Sequence, residues 1–225
     1  MTPIQQLMLG VGAKKKTYMD DVFSTQIYNG NGGTQTITNG IDLSNEGGAI
    51  LTKRRDSSSG SGPWFSDTVR GINKYLSTAE TSTGGDSSSS ISAVSSTGYS
   101  VGSFSGWNNS AGNYASWSFR RASGFFDCVT YTGDGSANRQ ISHSLKSIPA
   151  LILIKRTNGT ASWVVYHRST GDSKGLYLNS DSAAFATSNC WNSTKPTASV
   201  FTVGNDTWVN ANNDEFVAYI FAGGE

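Results

Sequence analysis

An all-β architecture, two tandem antiparallel β-sandwich units packed on each other behind a short N-terminal docking segment, is the fold class this sequence predicts. The first observation behind it is that the chain is written twice, with the second copy about 102 residues downstream. Tyr28, Gly30 and Gly32 recur as Tyr131, Gly133 and Gly135, and Lys53-Arg54 recurs as Lys155-Arg156. Trp64 is matched to Trp163, Tyr75-Leu76 to Tyr177-Leu178, Val101-Gly102 to Val203-Gly204, and Trp107 to Trp208. The second observation is composition: 26 glycines with abundant Ser, Thr and Asn favour short strands and many turns over long helices. The third is that each copy closes on an alternating aromatic run, Tyr114 to Phe119 and Phe216 to Phe221.

Residues 1–22 stand outside the repeat as a docking leader. Thr2-Pro3 is a helix opening, a side-chain cap followed by Pro in the first turn. Ile4, Leu7, Met8 and Leu9 form an apolar cluster that Gly10 and Gly12 end, and Lys14-Lys15-Lys16 follows. So short a helix is unstable alone in water, so its apolar side chains need a partner surface. The cluster and the three lysines are therefore read as partner-docking residues.

Repeat one spans 23–121. Gly30-Asn31-Gly32-Gly33 is expected to be a hairpin turn, since Asn-Gly is a strong hairpin signal. Strands are expected at 49–54, 64–69, 74–77, 91–94 and 99–101, with Ser/Gly-rich loops between them. In the closing strand Ala115, Trp117 and Phe119 alternate with Tyr114, Ser116 and Ser118, which predicts one buried and one wet face. Lys53-Arg54-Arg55 and Arg120-Arg121 are read as charges guarding strand edges.

Repeat two spans 122–225. The junction 120–124 is short, so the two units should lean on each other. In the last strand Phe216, Ala218 and Ile220 replace the polar set of repeat one, while Val217, Tyr219 and Phe221 keep the apolar one. That strand and Leu151-Ile152-Leu153-Ile154 are apolar on both faces, which places them at an interface between repeats or between subunits.

The formal net charge of +1 gives no electrostatic reason to expect nucleic acid. No stretch has the apolar length to span a membrane as a helix, and no secretory signal is evident. Cys128 and Cys190 do not occupy matching places and are read as buried free thiols. His143 and His167 are the two histidines, and neither has a counterpart in repeat one. They and the sparse carboxylates form no pattern for a metal, a catalytic triad or glycoside hydrolysis. Asp134, in Gly133-Asp134-Gly135, lacks the alternating oxygen ligands of a calcium loop. No catalytic residue, metal ligand or cofactor is therefore expected.

Two aromatic loops carry the remaining functional signal. Trp107 with Asn108, and Trp208 with Asn210, precede the closing strands. An indole that stacks on a sugar beside an amide that binds its hydroxyls makes these four residues candidate glycan contacts. The alternative is that each Trp seals the end of its sandwich.

The leader from Met1-Thr2-Pro3-Ile4 to Phe23-Ser24-Thr25 resembles the start of structural proteins of marine tailed phages. So do Phe125-Phe126-Asp127 with Tyr131-Thr132-Gly133, and the stretch Ala218 to Gly224. The resemblance covers essentially the whole chain and transfers no active-site residue. It implies a virion component, tail- or fibre-associated, built from lectin-like (jelly-roll or concanavalin-type) sandwiches. The expected partners are other virion proteins, further copies of this chain in a homo-oligomer, and a host-surface glycan. Capsid decoration is the alternative location.

Overall fold

A computed structural model describes residues 17–57 and 62–223. The predicted docking residues Ile4, Leu7, Met8, Leu9, Lys14, Lys15 and Lys16 lie outside the described residues. A one-turn helix, α1 (Met19–Val22), precedes the strands; Asp21 starts it by accepting from the Tyr18 amide at 2.8 Å. Its Val22 is buried, whereas Tyr18 and Met19 are exposed.

The fold is all-β and antiparallel, and no sheet closes on itself. Repeat one builds a six-stranded sheet from β1 (Phe23–Asn29), β3 (Gly48–Arg54), β4 (Trp64–Asp67), β5 (Lys74–Ser77), β6 (Gly85–Asp86) and β9 (Asn113–Arg120). Its order is β1-β9-β3-β4-β5-β6. A three-stranded sheet of β2 (Gln35–Thr38), β8 (Gly98–Val101) and β7 (Ile91–Ser95) lies across it. In repeat two, β10 (Phe126–Thr132), β12 (Pro149–Arg156), β13 (Val164–His167), β14 (Lys174–Tyr177), β15 (Phe185–Ala186) and β17 (Glu215–Ala222) form the large sheet. Its order, β10-β17-β12-β13-β14-β15, repeats that of the first. The small sheet is β11 (Arg139–Ser142) with β16 (Val200–Val203). Among the described residues, no strand of repeat two answers β7.

Three cores hold four layers together. Within repeat one, Tyr28, Ile50 and Tyr114 meet Ile37, Tyr99 and Val101 of the small sheet. Within repeat two, Ile152, Ile154, Phe216, Ala218 and Ile220 meet Ile141, Phe201 and Val203. The third core lies between the large sheets, where Ala49, Phe65 and Leu76 pack on Leu153, Trp163, Val165, Val217 and Tyr219. The doubly apolar strands β12 and β17 thus face their own core on one side and repeat one on the other. The Phe216-Ala218-Ile220 set, new in repeat two, fills its own sandwich; the shared set Val217-Tyr219-Phe221 makes the contact between repeats.

Three local expectations are corrected. The face of β9 expected to be wet is dry, with Ser116 and Ser118 fully buried. Ser116 Oγ is paired with the Tyr99 hydroxyl at 2.6 Å, and Ser118 Oγ accepts from Asn39 Nδ2 at 2.8 Å, so small hydroxyls enter the core already satisfied. The Gly30–Gly33 turn is not a hairpin, because β1 pairs with β9 and β2 with β8. Gly30 is needed for close approach: a Cβ there would strike the Asn109 carbonyl. Finally, β3 and β9 are interior strands, so their arginines guard no edge. They stand at strand ends instead, where Arg54 pairs with Asp56 and Arg121 with Asp127, both at 2.7 Å.

Candidate functional site

The loops carrying the predicted glycan contacts contain one-turn helices, α2 (Ser105–Asn108) and α3 (Thr207–Asn210). Trp107, Asn108 and Asn210 are fully buried and present no surface to a sugar. Asn108 Nδ2 donates to Gly33 O, Gly102 O and Asn31 Oδ1, and its Oδ1 accepts from the Asn31 amide, all within 2.5–3.0 Å. Asn210 makes the matching set with Ser136 O, Gly204 O, Asp134 Oδ1 and the Asp134 amide at 2.9–3.1 Å. The two asparagines are loop staples, and for these three residues the glycan reading gives way to the sealing one.

The fourth residue, Trp208, is 39% exposed. It is not the counterpart of Trp107. The Tyr28 hydroxyl donates to Trp107 O and the Tyr131 hydroxyl to Val209 O, both at 2.7 Å, so Trp107 corresponds to Val209 and Trp208 to Gly106. Trp208 packs edge-on against Tyr177 at 5.4 Å and Phe185 at 6.0 Å, and those two rings stack at 4.5 Å. Repeat one fills the same corner with Trp64, Tyr75 and Phe104.

Those clusters draw on non-equivalent positions. Tyr75 lies opposite Gly85 on β5–β6, whereas Gly175 lies opposite Phe185 on β14–β15. The ring has crossed from one strand to its neighbour, and each glycine faces the ring its partner strand supplies. Trp64 and Trp163 differ in the same way. Trp64 pairs with Thr52 and faces the inner corner, while Trp163 precedes β13 and is buried between the repeats.

The seam between repeats is fixed by polar contacts as well as apolar ones. The Tyr219 hydroxyl donates to Asp67 Oδ2 at 2.7 Å, and Arg70 Nε donates to the same oxygen at 2.6 Å. Asp67 and Tyr219 are fully buried. Burial holds the Tyr219 phenol well above its ordinary range, so it remains a donor. Trp163 Nε1 donates to Ser77 O at 2.8 Å across the same seam. Lys155 is fully buried there, and its Nζ donates to Thr81 O of repeat one at 3.1 Å and to Arg156 O at 2.9 Å. Desolvation, then the nearby arginines, bring its pKa down to about 8.

A cleft of about 680 Å³ opens beside this seam. Arg70, Lys74 and Asp86 line it from repeat one, and Thr130, Thr132 and Glu215 from repeat two. Asp86 accepts from Asn73 Nδ2, and the Glu215 carbonyl from the Thr157 amide at 2.8 Å. Its mixed charges and threonine hydroxyls suit hydrogen bonding to a polar partner.

The remaining residues weighed in the sequence have structural surroundings. Cys128 and Cys190 are free and buried. Asp134 Oδ1 accepts from the Ser136 amide and hydroxyl at 2.9 and 2.8 Å, closing a turn. His143 is buried, its Nδ1 accepting from the Leu145 amide at 3.3 Å; His167 Nδ1 accepts from the Ser169 amide at 3.2 Å. Among the described residues, no three His, Cys, Asp or Glu side chains converge as metal ligands, and no helix is long and apolar enough to cross a membrane.

No curated protein and no solved structure matches the chain. One family model, described as a domain of unknown function (DUF7483), matches residues 19–225, which takes in both repeats and the last four residues of the leader. The chain belongs to that family.

Proposed function

We propose that this chain is a non-enzymatic structural protein of a phage virion, tail- or fibre-associated, anchored by its N-terminal segment. The buried seam carries the reading. Phe65 and Tyr219, with ring centroids 4.2 Å apart, and the Asp67–Arg70–Tyr219 contacts join two sandwiches without a free linker. A rigid pair suits a subunit that holds a fixed place in an assembly and presents loops outward. The family match begins at Met19, so the apolar cluster and the three lysines of the leader fall outside the matched residues. The leader's apolar cluster and its lysines would dock on another virion subunit. At about 25 cal/mol per Å², burying four apolar side chains contributes several kcal/mol to that docking.

Host attachment through a glycan is the second reading, favoured by the half-exposed Trp208 beside Tyr177 and Phe185. An indole edge-supported by two rings is a stiff platform for the apolar face of a sugar.

Immunogold electron microscopy of purified particles tests the assignment. Label on the tail or fibres, lost when residues 2–16 are deleted, is the expected result. Label spread over the shell would move the protein to capsid decoration. Unlabelled particles, or normal incorporation of the truncated chain, would remove the docking role.

A further inference from the structure

The duplication gives each large sheet the same outermost strand, β1 in repeat one and β10 in repeat two. In repeat one β1 pairs with β9 over its whole length without a bulge. Gly30 N donates to Gly112 O at 2.7 Å where that register continues, which turns Ser24, Gln26 and Tyr28 towards β9. The N–H and C=O groups of Phe23, Thr25, Ile27 and Asn29 therefore point to the other side. Among the described residues no strand pairs with that side. Two of its carbonyls are met by side-chain amides, Ile27 O by Gln26 Nε2 at 3.2 Å and Asn29 O by Gln35 Nε2 at 3.0 Å. The strand has no charged residue and no proline, the devices that commonly shield an edge. Its Ile27 side chain is 58% exposed, and Tyr18 and Met19 are exposed just before it.

Repeat two closes the matching edge. Gly133 N donates to Asp214 O at 2.7 Å on the continued β10–β17 register, so Phe126, Cys128, Thr130 and Thr132 turn their backbone groups outward. Phe126 is bonded on that side by the chain itself, its amide donating to Ala122 O at 3.2 Å and its carbonyl accepting from the Ala122 amide at 2.9 Å. The Cys128 amide donates to Asp127 Oδ1 at 2.9 Å. That carboxylate is held in place by Arg121 Nε at 2.7 Å and the Ser144 amide at 2.6 Å. Matching Tyr28 with Tyr131 sets Ser24 against Asp127 and Thr25 against Cys128. Ser24 brings no carboxylate to the Thr25 amide. The scaffold can cap this edge, and it does so in the second copy alone.

We propose that β1 joins two copies of this chain by antiparallel pairing with itself, across a two-fold axis at Gln26, so that the two β1-bearing sheets become one. In that register Thr25 of each copy faces Ile27 of the other, and Phe23 faces Asn29. Every outward-pointing residue of the strand then meets another outward-pointing residue, and the Gln26 side chains meet at the axis. Because the strand is uncharged, pairing it with itself brings no like charges together. The exposed Ile27 gains the Thr25 side chain of the second copy as a neighbour on the same face. With β10 capped, β1 of one chain cannot add to β10 of another, so this strand closes a pair of chains rather than starting a fibre. The inference goes beyond the virion reading, and its test on the purified chain does not depend on it.

Sedimentation equilibrium of the full chain, with cysteine cross-linking, is the experiment. A concentration-dependent dimer is expected. Ile27→Lys places a charge on the open edge, and Thr25→Pro removes an amide that faces away from β9. Each should weaken self-association at least about tenfold, with the circular dichroism of the dilute chain unchanged. Gln26→Cys should cross-link to its own copy under mild oxidation, since directly opposed residues of this kind lie about 4.5 Å apart at Cα, within disulfide reach. Asn29→Cys should not, because its two copies would stand about 20 Å apart along the strands. Cys128 and Cys190 are buried and leave the assay clean. A parent chain that sediments as a monomer even in concentrated solution, its edge taken by another segment such as its own leader, would overturn the proposal. So would an Ile27→Lys/Thr25→Pro double variant that dimerises as the parent does, or Asn29→Cys cross-linking as readily as Gln26→Cys.

Discussion

Asn108 and Asn210 make the same four hydrogen bonds in their two repeats, each pinning a turn after the first strand to the loop before the last one. A single buried amide supplies both donors and the acceptor that these loops need, which no apolar residue can replace. Asn108→Ala and Asn210→Ala should each cost about 3 kcal/mol in urea denaturation, since several buried partners lose their bonds together. Asn108→Asp should be no better, because a carboxylate would face two carbonyls that need a donor. An Asn108→Ala loss below about 1 kcal/mol would mean that water replaces the staple.

The exchange of ring and glycine between repeats predicts a coupling. Gly85→Phe alone forces a side chain into the space of the Tyr75 ring and should destabilise repeat one. Adding Tyr75→Gly recreates the Gly175–Phe185 arrangement and should recover more than about 1 kcal/mol of that loss. Additive effects in the four-variant cycle would show that the two rings occupy different volumes.

The same exchange explains what the sequence could and could not tell. The copying of the scaffold was legible where its anchors are fixed by close backbone approach or by hydrogen bonds to the backbone: Gly30 with Gly133, and Tyr28 with Tyr131. The tryptophans misled because volume is conserved in a corner, not at a position. Matching Trp64 with Trp163 slips the register by one residue, which along a strand turns a side chain to the opposite face, and matching Trp107 with Trp208 makes the same one-residue slip on the one-turn helices. The dry face of β9 was hidden for another reason. Ser116 and Ser118 look like surface residues until Tyr99 and Asn39, distant in sequence, arrive to pair them. Asn108 and Asn210 looked like ligand contacts because an amide beside an indole has the same composition whether it faces a sugar or a turn.

Lys155 predicts a pH dependence of stability. Its folded pKa, about 8, lies below the ordinary lysine value of 10.5, so between these limits the unfolded chain holds the proton that the folded chain has released. Stability from this residue therefore rises with pH across that window, and the penalty is fully present below pH 8. Lys155→Met should be more stable than the parent at pH 7, by no more than about 3 kcal/mol, with the difference shrinking towards pH 10. A difference constant from pH 7 to 10 would show that the amine titrates normally.

The two thiols should be silent in the folded protein. Burial first, and nearby carboxylates after it, raise both, and Cys190 is pushed up to about 12. Neither should react with a disulfide reagent at pH 8 until denaturant is added, when both should titrate together. Reaction of one thiol at the rate of free cysteine in the native state would contradict its burial.

Differential scanning calorimetry of residues 17–225 asks whether the two copies stand as one body. A single transition is expected, with calorimetric and van't Hoff enthalpies equal, because parting the sheets uncovers Phe65, Trp163 and Tyr219 and strands Asp67 and Arg70 in the exposed face. Two resolved transitions, each reproduced by its own half expressed alone, would show that the seam does not join them.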